Sequence, residues 1–108
     1  LDIHNIKIIV GNIDETLPQL LPQLDVIDLL FADANHRYEP TMQYITACMQ
    51  KKNNHSIFVL DDIHWSDEMQ NAWNELRKKP SVITDIDIFQ LGCLFFSPIH
   101  PKQSFILK

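Results

Sequence analysis

The sequence predicts an α/β fold: parallel strands with covering helices, completed by an antiparallel edge at the C-terminal end. Three observations predict it. Two predicted strands, Ile27–Ala32 and Ser56–Leu60, contain the apolar runs Leu29–Ala32 and Ile57–Leu60, which are too continuous for half-wet strands and suit strands covered on both faces. Each run ends in acidic residues and is followed by a helix pattern. After Pro80 that alternation stops, and strand-like segments follow one another with no helix between them.

The elements are justified in chain order. Ile6–Val10 is a β-branched run closed by Gly11 and predicts the first strand. Asp14 or Thr16 is the expected cap of a short helix carrying Leu17, Leu20 and Leu21, which Pro22 ends or kinks. Ile27–Ala32 is the second strand. From Pro40 to Gln50, Met42, Ile45, Cys48 and Met49 share one helical face, and the methionines are expected to pack in the core. Asn53-Asn54-His55 turns into the third strand at Ser56. Ser66 is the expected N-cap of the next helix, with Asp67 and Glu68 in its first turn and Arg77-Lys78-Lys79 in its last, complementing the helix dipole. Its inward stripe is Met69, Ala72, Trp73 and Leu76. Val82–Phe89, Gly92–Phe96 and Ser104–Leu107 read as strands, with turns at Gln90-Leu91-Gly92 and Pro98–Pro101.

Composition narrows the function. The chain has 108 residues and no internal linker, so it is read as one domain over residues 1–108. A net charge of −5 argues against a nucleic-acid partner. No apolar run approaches the ~20 residues that cross a bilayer, so no membrane partner is expected. Cys48 and Cys93 are expected as core thiols, and a cytoplasmic setting follows from the lack of any disulfide pattern. Only Gly11 and Gly92 are present. A loop that cradles phosphate or dinucleotide needs clustered glycines, and these 108 residues hold none.

Ligands of open α/β sheets bind beyond the carboxyl ends of the strands. That rim would gather Asn12, Asp33, Asn35 and His36, and Asp61, Asp62 and His64. An acid at a strand end with a histidine three residues later occurs twice, as Asp33/His36 and Asp61/His64. Two kinds of chemistry are open: a histidine acting as general base near neutral pH, or Asp33, Asp61 and Asp62 with Asn35 holding a hard divalent cation. The plainer roles are capping by the aspartates and backbone hydrogen bonding by the histidines. Trp65 is expected as a hydrophobic staple for the helix after Ser66 rather than a substrate platform.

Ile8-Ile9-Val10-Gly11-Asn12, Asp33-Ala34-Asn35-His36-Arg37-Tyr38-Glu39-Pro40, Asp61-Asp62-Ile63-His64-Trp65 and Leu91–Phe96 together resemble the later half of a class I S-adenosylmethionine-dependent methyltransferase. The likeness is to the small bacterial O-methyltransferase-like group. It implies a Rossmann-like sheet in the order three, two, one, four, five, seven, six, with the present strands as the third to the seventh. The first two strands and the glycine-rich loop would then be absent, making the chain a C-terminal fragment. The resemblance implies transfer of a methyl group from S-adenosylmethionine to a small-molecule acceptor, at oxygen, by the parent protein, the fragment itself being inactive. It places Asn12, Ile13, Asp33 and Asn35 on the cofactor side and makes Asp33, His36 and His64 the catalytic candidates. Mg2+ would be held by Asp33, Asp61 and Asp62, although the family's metal-binding Asp-Asn pair is Asp61-Asp62 here. The alternatives are a non-catalytic binding module and a metal-dependent hydrolase. Loss of two central strands would also leave unpaired edges, closed either by Ile6–Val10 pairing with Ile27–Ala32 or by a homodimer joined edge to edge.

Overall fold

The computed structural model describes residues 4–108 and bears out the α/β class. Its elements are α1 (Ile13–Leu20) with a 3-10 turn at Leu21–Gln23, β1 (Leu29–Ala32), α2 (Tyr38–Met49), β2 (Ile57–Asp61), α3 (Asp67–Arg77), β3 (Thr84–Asp87), β4 (Leu91–Phe95) and β5 (Gln103–Ile106). They form one sheet in the order β1-β2-β4-β3-β5. β1 and β2 run parallel, β4 runs antiparallel to β2 and β3, and β5 runs parallel to β3. The first four follow the four, five, seven, six order that the resemblance implies. The antiparallel strand therefore lies inside the sheet, and β5 forms the edge beyond it.

Ile6–Val10 departs from expectation. It forms no strand, and Ile6, Ile8 and Val10 are largely exposed. β-propensity needs a neighbour to become structure, and β1 pairs with β2 alone among the described strands. The expected closure of Ile6–Val10 on the second strand is thereby overturned. Asn12, rather than Asp14 or Thr16, caps α1, its Oδ1 accepting from the Asp14 N–H at 2.9 Å. Ser66 caps α3 as expected, accepting from the Met69 N–H. The predicted turn at Gln90-Leu91-Gly92 lies earlier: Leu91 and Gly92 belong to β4, and the chain reverses through Ile88–Gln90 with Phe89 at φ 73°.

Register decides the core. Leu30, Phe58, Leu94 and Asp85 line up across the sheet on one face, as do Ala32, Leu60, Gly92 and Asp87. Against this face pack Leu21, Ile45, Cys48, Trp73 and Leu76 from the helices. Burial of each large apolar side chain there contributes roughly 1.5–3 kcal/mol. Cys48 and Cys93 are free thiols, and burial pushes both above their ordinary pKa. The opposite face carries Leu29, Phe31, Ile57, Val59, Cys93, Phe95, Ile86 and Phe105. None of these is fully buried.

Candidate functional site

Parallel pairing of β1 with β2 sets Ala32 beside Leu60, so the chain leaves both strands at one rim. Asp33 and the Asp61-Asp62 pair are thereby neighbours. Asp62 adopts φ 57°, a left-handed conformation that aspartate tolerates better than most residues. Its N–H is held by the Gln90 carbonyl and by Asp61 Oδ1. Such a backbone position at a rim is a common mark of a working site.

His36 is brought to this point by the turn before α2. Asn35 fixes that turn, its Oδ1 accepting from the Arg37 N–H at 3.1 Å and its carbonyl from Thr41 Oγ1 at 2.8 Å. His36 Nε2 then lies 3.1 Å from Asp62 Oδ2 and 3.6 Å from Asp33 Oδ1. These are ion-pair distances; the nitrogen, shut off from solvent, has no aligned hydrogen bond. The Asp33 carboxyl is raised above its ordinary pKa, first by partial desolvation, then by the charge and hydrogen bonding of Asp61, while His36 acts in the opposite sense. Its side chain keeps 47% of its surface exposed, so solvent screens the effect.

Trp65 is 71% exposed and therefore does not staple α3. The residue it would have met one turn into the helix is the polar Gln70, which offers no apolar partner. Its ring instead lies 5.9 Å from that of His36, tilted by 34°.

His64 sits on the same rim in different company. Its Nε2 is 2.7 Å from Asp87 Oδ2, its Nδ1 is 3.3 Å from Gln70 Oε1, and its ring stacks on Phe89. Both ring nitrogens are thus engaged, which suits a side chain that fastens the β2–α3 loop to the end of β3. Asp87, Gln70 and Phe89 were not among the sequence candidates. The alternation Asp85-Ile86-Asp87-Ile88 suggests isoleucines inward, yet the acids face the helices, where Asp85 accepts from Ser104 Oγ and Asp87 meets His64.

A crevice of about 290 Å³ opens beside β1, lined by Ile13, Leu17, Phe31, Asp33, Ala34 and Tyr44 among others. Its apolar wall suits a flat heterocycle, and Asp33 supplies a polar end. Asn12 is not placed on this wall, and its carbonyl oxygen is committed to the α1 cap. For a cation, the ligand atoms that converge to within 4.8 Å of one another belong to Asp33, His36 and Asp62. Asp61 lies beside Asp33 but is not among the converging ligand atoms, its Oδ1 accepting from the Asp62 N–H. Two carboxylates and an imidazole differ from the all-oxygen set that Mg2+ favours, so these residues fit that ion poorly.

An open α/β sheet in this order gathers acids and a histidine at its carboxyl rim, the place where proteins of this architecture bind their ligands. The methyltransferase-domain family profile matches residues 3–63, more than half of the chain. The chain belongs to that family, whose chemistry is methyl transfer, and the match does not favour a non-catalytic module or a hydrolase. No curated protein matches the chain. Among the described residues, no helix is long and apolar enough to cross a membrane.

Proposed function

We propose that the chain supplies the acceptor side of an S-adenosylmethionine-dependent methyltransferase acting on a hydroxyl of a small molecule. The observation that carries this reading is the meeting of Asp33, His36 and Asp62 at the ends of β1 and β2. Bound at this rim, S-adenosylmethionine would supply an electrophilic methyl group. Ile13 and the apolar wall of the crevice would hold its adenine side, with Asp33 at the polar end. His36 would accept the proton from the acceptor oxygen at Nδ1, and Asp62, beside the enclosed Nε2, would stabilise the charged imidazole. Trp65 would form an aromatic wall for the acceptor. His64 is assigned to positioning, because both its nitrogens are engaged. The enzyme's work would be alignment together with removal of one proton.

With two glycines and no cluster of them, these residues alone lack a cradle for the methionine end of the cofactor. The 108-residue chain is accordingly proposed to bind cofactor weakly and to be inactive by itself. Titration of the chain with S-adenosylhomocysteine in a calorimeter is expected to show no micromolar binding; heats that fit a micromolar Kd refute that part. In the protein that contains this sequence, transfer of labelled methyl from S-adenosylmethionine is expected to fall roughly 100- to 10,000-fold in His36→Gln, the usual worth of a general base. Full activity in that variant removes the assignment.

A further inference from the structure

We propose that the tip of the β3–β4 hairpin, Ile88–Gln90, braces the rim: a strained turn at Phe89 aims the Gln90 carbonyl at Asp62 and so keeps the Asp62 carboxylate against His36. Phe89 and Gln90 are thereby positioning residues that act through Asp62. The catalytic part of this proposal rests on the methyltransferase reading; the structural part does not.

Among the described residues, two that are not glycine carry a positive φ: Asp62 at 57° and Phe89 at 73°. One hydrogen bond links their neighbourhoods. The Asp62 N–H donates to the Gln90 carbonyl at 2.6 Å, and Gln90 directly follows Phe89. Aspartate adopts this conformation at small cost, whereas for a bulky aromatic residue it is a genuine outlier. Such a residue persists only where its surroundings over-determine it. Three contacts do so here. The Gln90 N–H donates back to the Ile88 carbonyl at 3.0 Å, closing a three-residue turn centred on Phe89. The Phe89 N–H donates to Asp87 Oδ1 at 2.8 Å. The Phe89 ring stacks on His64, with centroids 5.6 Å apart and planes inclined by 30°.

The hairpin grips the β2–α3 loop at two points. Gln90 holds residue 62 by its backbone, while Phe89 and Asp87 hold the His64 ring. Asp87 serves both sides with one carboxylate, Oδ1 on the hairpin and Oδ2 on His64 Nε2. Between the two points Ile63 is fully buried, so the loop has no slack there. From this held backbone the Asp62 Oδ2 reaches to 3.1 Å from His36 Nε2. Asp61 Oδ1 shares the Asp62 N–H at 3.0 Å, but it belongs to the adjacent residue and moves with the loop. Released from Gln90, Asp62 is free to leave the left-handed region, and its carboxylate swings away with it. Burial does not explain the aromatic ring at position 89. Phe89 is 70% exposed, and glycine would meet its φ without strain. The ring's contribution lies in what it holds, the His64 end of the loop.

Phe89→Gly tests this in the protein that contains this sequence. Its urea midpoint is expected to stay or rise, because strain is relieved and little apolar surface is lost. Amide exchange at Asp62 is expected to quicken by about 10-fold or more, while Val59 and Leu60 inside β2 keep the parent's rates. The kcat for methyl transfer is expected to fall roughly 10- to 100-fold, as a misplacement of about 1 Å would cause, with the KM for S-adenosylmethionine within about 2-fold of the parent's. Phe89→Tyr, which restores the ring, is expected to recover both exchange and rate. Parent-like exchange at Asp62 in Phe89→Gly overturns the proposal. So does a loss of rate matched by a fall in urea midpoint, which would show a general structural role, or a Phe89→Tyr variant that behaves like Phe89→Gly. The exchange measurement needs no catalysis. A protein that transfers no methyl group, yet loosens Asp62 in Phe89→Gly, refutes the methyltransferase reading and leaves the brace standing.

Discussion

Gly92 lies in β4 directly beneath Trp73 of α3. A Cβ built on it would stand 2.5, 2.6 and 2.8 Å from Cζ3, Cη2 and Cε3 of the indole. Carbon atoms in good contact sit about 3.5–4.0 Å apart, so Gly92→Ala demands that the ring move by about 1 Å. The indole has little room to do so, since Trp73 is 2% exposed and belongs to the central cluster with Phe58, Leu60 and Leu94. Overpacking of this kind costs about 1–3 kcal/mol. A cost near 2 kcal/mol lowers Tm by roughly 8–16 °C in a domain of this size. All three crowded atoms belong to the six-membered ring of the indole, which phenylalanine does not place at the same spot. Trp73→Phe in the Gly92→Ala background should therefore recover part of the loss, whereas in the parent it costs stability by opening a void. Urea denaturation of the parent, both single variants and the double variant forms a double-mutant cycle. A Gly92→Ala variant within about 0.5 kcal/mol of the parent, or additive single effects, refutes the steric account.

Separating the two histidines gives a second prediction. Among the described residues, His64→Ala leaves the buried Asp87 carboxylate with the Phe89 N–H as its one partner and should lower stability by about 1–3 kcal/mol by urea denaturation. His36→Ala should cost less stability than that and yet remove methyl transfer in the protein that contains this sequence. For Asp33 the sign follows from its raised pKa: the fold favours the protonated carboxyl, and that favourable contribution is complete below the ordinary value of 3.8 and lost as pH rises through the native pKa. Asp33→Asn is thus expected to be no less stable than the parent at neutral pH, with any advantage vanishing below pH 3.8 in a Tm-against-pH series. Lys102 donates through Nζ to the carbonyls of Arg77, Lys79 and Val82, closing the end of α3. Lys102→Met should cost about 1–2 kcal/mol and speed amide exchange over residues 77–82.

Helices were the legible part of this fold. The stripe Met69, Ala72, Trp73, Leu76 and the Ser66 cap agree on one orientation, so α3 follows from local chemistry alone. Ile6–Val10 has comparable local signals but no neighbour, and a strand is a cooperative object that requires one. The strand at Val82–Phe89 was legible, but the direction its side chains face was not. Asp85 and Asp87 lie on the covered face because Ser104 and His64 satisfy them, and both partners come from segments distant in sequence. The site divides along the same line. Asp33, His36 and Asp62 follow the ends of adjacent parallel strands, which brings them together, whereas the repeated spacing had paired Asp61 with His64, and neither of these joins the cluster. His64 and Asp87 meet only because β4 inserts between β2 and β3, a fact of topology that no local pattern carries.

The two tryptophans occupy opposite environments. Trp73 is sealed in the interior, while Trp65 stands in water next to the His36 imidazole. Emission from the first should shift red only on unfolding, and emission from the second should respond to whatever lands on the rim. A single fluorescence spectrum therefore holds two independent signals, and occupancy can be followed while intactness is monitored in the same cuvette.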